Sequence, residues 1–152
     1  MQPETRAYSP APPDTVMKVC VMGPDAPGPS LEDLRRLFRG HRLSPVRRAR
    51  LIDCGRVVAH CEGRIVGLAV YQRLEVEVRV YEFGVDEQVP CGVEAVVARL
   101  LDALEVACLA GGCRRLVVVP HGQVEDRFFT ERGFAALAHG SATHLFEKRF
   151  QV

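Results

Sequence analysis

The strongest constraint on the fold of this chain is one amphipathic segment in its second half. Across residues 93–109, apolar side chains recur every three or four positions, while Arg99, Asp102 and Glu105 fall on the opposite side. This period predicts a helix with one buried face. The glycine pair 111–112 ends the helix. Such a helix needs an apolar surface to cover, and the flanking sequence supplies it.

Short apolar stretches around this helix predict strands. Four precede it, at residues 17–22, 56–61, 64–71 and 77–85, and three follow it, at 116–119, 134–138 and 144–150. Glu62-Gly63 joins two of them, and a glycine that tolerates a positive φ there predicts a tight hairpin. The unbroken run 116–119 is typical of a strand covered on both faces. The order predicts an α/β fold in which a mixed sheet is flanked by helices.

Shorter helices are also predicted. Ser30 is a helix cap, because its side chain can accept a hydrogen bond from the first turn, and Asp33 three residues later resembles a capping box. The apolar stripe of this helix consists of Leu31, Leu34, Leu37 and Phe38. Pro45 is positioned to open a second short helix, and residues 124–132 form another that Gly133 stops.

Length and charge bound the class of protein. With 152 residues the chain is predicted to form one domain over residues 16–152, behind a Pro-rich flexible tail at 1–15. The chain has 20 basic and 19 acidic residues, and this balance argues against a nucleic-acid partner. No apolar run reaches the roughly 18 residues that span a bilayer, and the tail lacks a signal-peptide pattern. A cytoplasmic protein with no membrane partner is therefore expected.

The cysteines and histidines do not indicate a metal or a disulfide framework. The cysteines are Cys20, Cys54, Cys61, Cys91, Cys108 and Cys113. No pair has the CxxC spacing of zinc or redox motifs, and His60, His139 and His144 show no ligand spacing. The cysteines are expected to act as small buried hydrophobes, and no metal is expected.

Four motifs, taken in order, resemble the GNAT superfamily of acyl-CoA-dependent N-acyltransferases. GRVVAHCEGRIVGLAVYQRL (55–74) is similar to a family hairpin with a GxxVG-like step, and YEFGVDEQVP (81–90) to the fourth strand and the Val-Asp before the cofactor loop. ARLLDALEVACLAGGCRRLVVV (98–119) is similar to the following helix, turn and fifth strand, and FFTERGF (128–134) to the FYxxxGF signature. The resemblance covers residues 16–150. It implies the GNAT-like acyl-CoA N-acyltransferase fold, with a mixed sheet of six or seven strands.

The resemblance also implies acetyl-CoA as co-substrate. In the family, pantetheine lies where the fourth and fifth strands splay apart, and the pyrophosphate lies on free amides at the start of the next helix, a general anion site. The residues implied in binding are Phe83, Val85, Glu87, Cys91, Gly92, Val93, Glu94, Ala95, Val96 and Phe129. The loop departs from the family pattern R/Q-x-x-G-x-G/A. One alignment puts Ala95 and Val97 where glycines are usual, and the other puts Cys91 and Val93 there. Glu94 brings negative charge near the phosphates.

The catalytic assignment is open between two residues. The family often uses the tyrosine of FYxxxGF to protonate the leaving thiolate, and Phe129 at that position has no proton to give. The catalytic candidates are Glu82 on the fourth strand and His121 after the fifth, either of which could take the proton of an incoming amine. Their plainer interpretations are a solvated strand residue and an exposed loop histidine. Cys91 is a poor candidate nucleophile, because nothing in the sequence places an activating group beside it.

Two functions from different classes follow. The first is an N-acetyltransferase that moves an acetyl or other acyl group from CoA to a primary amine by direct attack, which depends mostly on proximity and on amides that stabilise the oxyanion. The second is a catalytically inactive GNAT-like module that binds a ligand or a partner protein. The fold does not choose the amine acceptor. The basic stretch 42–50 is either a rim for an acidic substrate or a solvated face, and the resemblance leaves a homodimer through the last strands open.

Overall fold

A computed structural model describes residues 17–23, 25–26, 29–38, 55–119, 124–137 and 145–151. The strands are β1 (Met17–Met22), β2 (Gly55–Cys61), β3 (Arg64–Arg73), β4 (Glu77–Val85), β5 (Arg115–Val118), β6 (Ala135–Leu137) and β7 (Leu145–Arg149). The helices are α1 (Leu31–Leu37), α2 (Val93–Ala110) and α3 (Asp126–Glu131). The predicted tail, the helix opened by Pro45 and the basic stretch 42–50 lie outside the described residues.

The strands form one seven-stranded sheet in the order β1-β2-β3-β4-β5-β7-β6. Strands β4 and β5 are parallel, and every other pair is antiparallel. The predicted α/β fold with a mixed sheet of six or seven strands is therefore confirmed. Strand β7 lies inside the sheet, between β5 and β6. It pairs with the edge of β5 opposite the edge that pairs with β4.

Helix α2 covers one face of the sheet through the predicted apolar stripe. Its buried residues are Val96, Val97, Leu100, Leu101, Leu104 and Cys108. The sheet face beneath them is built from small and branched side chains such as Val57, Ala59, Val78 and Val80. Helix α2 and β3 are in tight contact at Gly67, where an added Cβ would overlap Val96 Cγ1. Glycine fits this position because the Val96 side chain fills the space that a Cβ would occupy.

Helix α1 packs on the opposite face, and its start has the predicted capping box. Asp33 N–H donates to Ser30 Oγ at 3.1 Å, and Ser30 N–H donates to Asp33 Oδ2 at 3.3 Å. Burial raises the pKa of Asp33, but hydrogen bonds from Arg36 and Ser30 outweigh it and leave the pKa below its usual value. Only the end of α1 reaches the core, at Leu37 and Phe38. Leu31, the first residue of the predicted apolar stripe, is 52% exposed, because only the later part of the stripe reaches the core.

Two irregularities set the local geometry of the central strands. Glu62 and Gly63 both have positive φ, 53° and 76°, as a tight two-residue hairpin requires. In β4, Glu82 pairs with Val70 and Val80 pairs with Tyr71, so that Tyr81 is an extra residue in a bulge. The bulge changes the alternation of side chains along β4. Val78 and Val80 face α2 before it, and Phe83 and Val85 face α2 after it.

The cysteines among the described residues are free thiols. Cys108 and Cys113 are buried as predicted, and burial raises the pKa of the Cys108 thiol to about 11, with Cys113 adding to the shift. Cys61 and Cys91 are half-buried. The expectation of burial was wrong for Cys20, which is exposed because it lies on an edge strand on the side that α2 does not cover.

Candidate functional site

The central feature of the site is the part of β4 that extends beyond its pairing with β5. Four residue pairs join the two strands, from Glu77–Arg115 to Val80–Val118, and Val119 N–H donates to Val80 O at 3.0 Å. Beyond that bond β4 continues to Val85, still paired with β3. Among the described residues, the parallel ladder therefore ends halfway along β4, and ligands of α/β sheets bind at such carboxyl ends of parallel strands.

The start of α2 lies at the same end of the sheet. Gly92 caps the helix with φ of 91°, and no atom lies within 4 Å of the position where its Cβ would be. The first intrahelical bond is donated by Val96 N–H to Gly92 O at 3.4 Å. The N–H groups of Val93, Glu94 and Ala95 precede this bond and point along the helix axis towards solvent, as they do at any helix start. Backbone donors of this kind suit an anion.

Asp86 holds the loop that connects β4 to α2. Its N–H donates to Val66 O at 2.9 Å, and its Oδ1 accepts from Gln88 N–H at 3.0 Å. Its other oxygen lies 3.3 Å from Arg36 Nε and 3.4 Å from Arg64 Nη2, both of them guanidinium nitrogens. Asp86 thus ties the loop to α1 and to the start of β3. The sequence marked Asp86 only as part of a Val-Asp step, since nothing local signals partners so far away along the chain.

Charges of both signs surround this loop. Glu87 and Glu94 are exposed, and Arg36 and Arg64 both form ion pairs with Asp86. A cavity of about 350 Å³ lies beside the loop and is lined by Glu32, Arg35, Arg36, Arg64, Asp86, Glu87 and Gln88. Among the described residues, positive charge at this end of the sheet is therefore supplied by α1 and β3 and not by the loop itself.

Glu82 is buried, with 6% of its surface exposed. The bulge at Tyr81 turns Glu82 to the face opposite α2. Gly84, two residues further along and so on the same face, lies against the Phe38 ring of α1. The plainer interpretation of Glu82 as a solvated strand residue was therefore wrong. Its predicted catalytic role stays a prediction, and His121, the second candidate, lies outside the described residues.

Phe129 is fully enclosed by other aromatic rings. It stacks on Phe146 at a centroid distance of 5.1 Å and meets Phe128 and Phe134 edge to face at 5.4 and 6.0 Å. No part of its surface is exposed. A ring in this position supports β7 and α3, and contact with a bound ligand would require the surrounding chain to move.

The other predicted cofactor-binding residues fall into two groups at one end of the sheet. Phe83, Val85 and Val96 have buried side chains, so that only their backbone could meet a ligand. The remaining ones line the loop and the first turn of α2 with partly or fully exposed side chains; they are Glu87, Cys91, Gly92, Val93, Glu94 and Ala95. The predicted binding role of both groups stays a prediction.

The described part of the chain contains no group of three or more His, Cys, Asp or Glu side chains that could hold a metal ion. Within the same residues, no helix is both long and apolar enough to cross a membrane.

Comparison with solved structures identifies the class of this fold. N-acetylglutamate synthase from Neisseria gonorrhoeae, complexed with coenzyme A and N-acetyl-glutamate, matches with a TM-score of 0.63 and 16% identity over 89% of this chain and 36% of its own. The chain thus spans about a third of that protein. A GNAT family acetyltransferase from Elizabethkingia anophelis with acetyl-CoA bound matches with a TM-score of 0.63 and 12% identity, over 88% of this chain and 98% of its own.

A probable acetyltransferase from Staphylococcus epidermidis matches with a TM-score of 0.67 and 11% identity, over 90% of this chain and its whole length. No family model and no curated protein matches the sequence. The chain has the fold of the GNAT acetyltransferases, as the sequence motifs predicted.

Proposed function

We propose that this protein is an N-acetyltransferase that transfers an acetyl group from acetyl-CoA to a primary amine by direct attack. The observation that carries the proposal is that β4 extends beyond its last described pair with β5, Val80–Val118, towards the end of the sheet where α2 begins. An extended chain would bind along this part of β4, and the first turn of α2 would accept a phosphate. Structural neighbours with bound coenzyme A or acetyl-CoA support the choice of ligand.

The residues at this end of the sheet fit acetyl-CoA through their backbone more than through their side chains. The N–H groups of Val93, Glu94 and Ala95 would receive the pyrophosphate, and the open space at Gly92 leaves room for it. The stretch 83–87 would lie along pantetheine. Bound acetyl-CoA would supply an activated thioester carbonyl. The negative side chains of Glu87 and Glu94 oppose phosphate binding, so we expect affinity to rest on the amides.

Glu82 is the proposed acceptor of the proton that the incoming ammonium must lose. It is buried on the sheet face covered by α1, which is the face opposite α2, and it lies on the part of β4 that runs past β5. A carboxylate there could take a proton directly or through a water molecule. His121 is the alternative base. No tyrosine stands at position 129, so the leaving thiolate takes its proton from solvent or from another group.

A binding module without catalysis is the second candidate function. The enclosed position of Phe129 and the two glutamates beside the first turn of α2 favour it. Such a protein would keep the sheet and would bind a ligand or a partner protein at this end of it, but it would not transfer an acetyl group.

Ligand binding separates the two candidates from a protein of unrelated function. Thermal unfolding of the full chain is measured with acetyl-CoA and, as an anionic nucleotide control without pantetheine, with ATP. A ligand at a hundred times its dissociation constant stabilises the native state by about 2.7 kcal/mol, so we expect acetyl-CoA to raise the melting temperature and ATP to have no effect. Equal shifts, or no binding of acetyl-CoA at millimolar concentration in calorimetry, would overturn the proposal.

Catalysis is tested by mass spectrometry of a panel of primary amines incubated with protein and acetyl-CoA. The panel contains spermidine, free amino acids and peptides with a free N-terminus. In Glu82→Gln we expect the rate to fall about a hundredfold to ten-thousandfold while acetyl-CoA affinity is kept. The exposed Glu75→Gln is the matched control. If His121→Ala shows the loss instead, Glu82 is not the base. Binding without turnover of any amine would favour the binding module.

A further inference from the structure

Two buried cysteines lie on either side of the turn that ends α2. Cys108 is in the last turn of the helix, and Cys113 lies between the helix and β5. Cys113 N–H donates to Cys108 O at 2.9 Å, and Gly112 N–H donates to Leu109 O at 3.0 Å. Together with the φ of 75° at Gly112, these two bonds form a Schellman motif. Such a motif commonly brings the side chains at the positions of Cys108 and Cys113 into contact.

The Schellman motif holds the two cysteines within the span of a disulfide. Standard bond lengths on either side of the 2.9 Å hydrogen bond place the Cα atoms of Cys108 and Cys113 at most about 6.8 Å apart. Disulfides join cysteines whose Cα atoms are about 4.4–6.8 Å apart. Both side chains pack in the same hydrophobic core, with 0% and 1% of their surface exposed. Burial raises the pKa of Cys108, and Cys113 adds to the shift, as a neighbouring thiol does.

The closed motif protects both thiols, so that their reaction requires the end of α2 to open. The reactive form of cysteine is the thiolate, and burial keeps the Cys108 thiol protonated. Opening breaks the two bonds of the motif and the bond that Arg73 donates to Gly111 O. Helix ends are among the least stable parts of a fold. This end has no basic side chain in its last turn, and Leu109 there is 50% exposed.

We propose that Cys108 and Cys113 are a redox-sensitive dithiol, which hydrogen peroxide converts into an intrachain disulfide that ties the end of α2 to the start of β5. When the end of α2 opens, one thiolate attacks the O–O bond and becomes a sulfenic acid, and the other displaces hydroxide from it. The two cysteines lose two electrons and two protons, and the peroxide is reduced to two water molecules. Helix α2 has 18 residues, so this site lies about 27 Å from its first turn and is independent of acetyl transfer.

The disulfide is tested by mass spectrometry of one tryptic peptide. Residues 100–114 form this peptide, and its cysteines are Cys108 and Cys113. The reduced full chain is treated with hydrogen peroxide, unfolded in iodoacetamide and digested without reduction. We expect a peptide that has lost two hydrogen atoms and carries no alkyl group, and this species should be absent from Cys113→Ser. A wild-type peptide alkylated at both cysteines, at a peroxide concentration that oxidises the exposed Cys20, would overturn the proposal.

The opening step is tested by the rate at which the disulfide forms in two glycine variants. Gly112→Ala places a side chain in the left-handed region, and this strain favours the open end of α2, so we expect the rate to rise about fivefold or more. Gly63→Ala is the matched control, because its φ is 76° and no atom lies within 4 Å of either added Cβ. Gly63 lies in the hairpin between β2 and β3, so its variant should react at the wild-type rate. Equal rates in the two variants would contradict the opening step and the proposal with it.

Discussion

At the scale of single residues, Asp86 connects parts of the candidate site that are far apart in the sequence. It faces two arginines from separate elements and caps the turn at Gln88. Asp86→Asn keeps the acceptor for Gln88 and removes the charge, which leaves the half-buried Arg36 guanidinium without an ionic partner in the loop. We expect the free energy of unfolding to fall by about 1–3 kcal/mol in urea titration.

The control for Asp86 is the exposed Asp25→Asn, which should change stability very little. An equal effect of the two substitutions would mean that the Asp86 contacts do not hold the loop.

Cys108 gives a second prediction at this scale, because its pKa of about 11 keeps the thiol protonated in the native state. The unfolded thiol has a pKa near 9.0, so the native state binds the proton more tightly. The stabilisation is complete below pH 9 and is lost as the pH rises towards 11. In wild type, the free energy of unfolding should therefore decline across this interval more than in Cys108→Ala, measured by urea titration at each pH. Parallel pH profiles of the two proteins would refute the assignment.

At the scale of elements, the contact of α2 with β3 depends on Gly67. An added methyl group would overlap Val96 Cγ1 and lie 3.4 Å from Leu100 Cδ1, and neither side chain has free space to move into because both are buried. Overpacking of this kind costs about 1–3 kcal/mol, so Gly67→Ala should lower the free energy of unfolding by that amount.

Gly23→Ala is the matched control for Gly67, since no atom lies within 4 Å of its added Cβ and its φ is not in the left-handed region. Both variants are compared with wild type by thermal and urea unfolding, and Gly23→Ala should be neutral or slightly stabilising. If Gly67→Ala were equally harmless, α2 would not lie as close to the sheet as described.

At the scale of the whole molecule, the end of the chain completes the sheet. Strand β7 pairs with both β5 and β6, and its Phe146 is buried against Phe129 of α3. The two sides of the sheet should therefore unfold together, and transitions followed by far-UV circular dichroism and by tyrosine fluorescence should coincide.

Phe146→Ala removes a buried ring and should cost about 3–5 kcal/mol, a large part of the total stability of a domain of this size. The half-buried Phe150→Ala should cost clearly less. Two separated transitions in the wild type would show that the C-terminal strands form an independent unit.

The sequence alone determined the parts of the fold that depend on neighbouring residues. The helical period at 93–109, the turn at Glu62-Gly63 and the capping box at Ser30 all act within a few residues, so local pattern predicted α2, the first hairpin and the start of α1. The order of the four motifs resembles that of the GNAT superfamily, and this resemblance predicted the fold.

Only the tertiary structure decided how distant residues meet. The bulge at Tyr81 turns Glu82 away from α2. The ion pairs of Asp86 with Arg36 and Arg64 connect the loop after β4 to α1 and to β3. The enclosure of Phe129 likewise requires β7 from the end of the chain. Such contacts depend on how the helices and strands pack against one another, and packing is not encoded in the spacing of residues along any one of them.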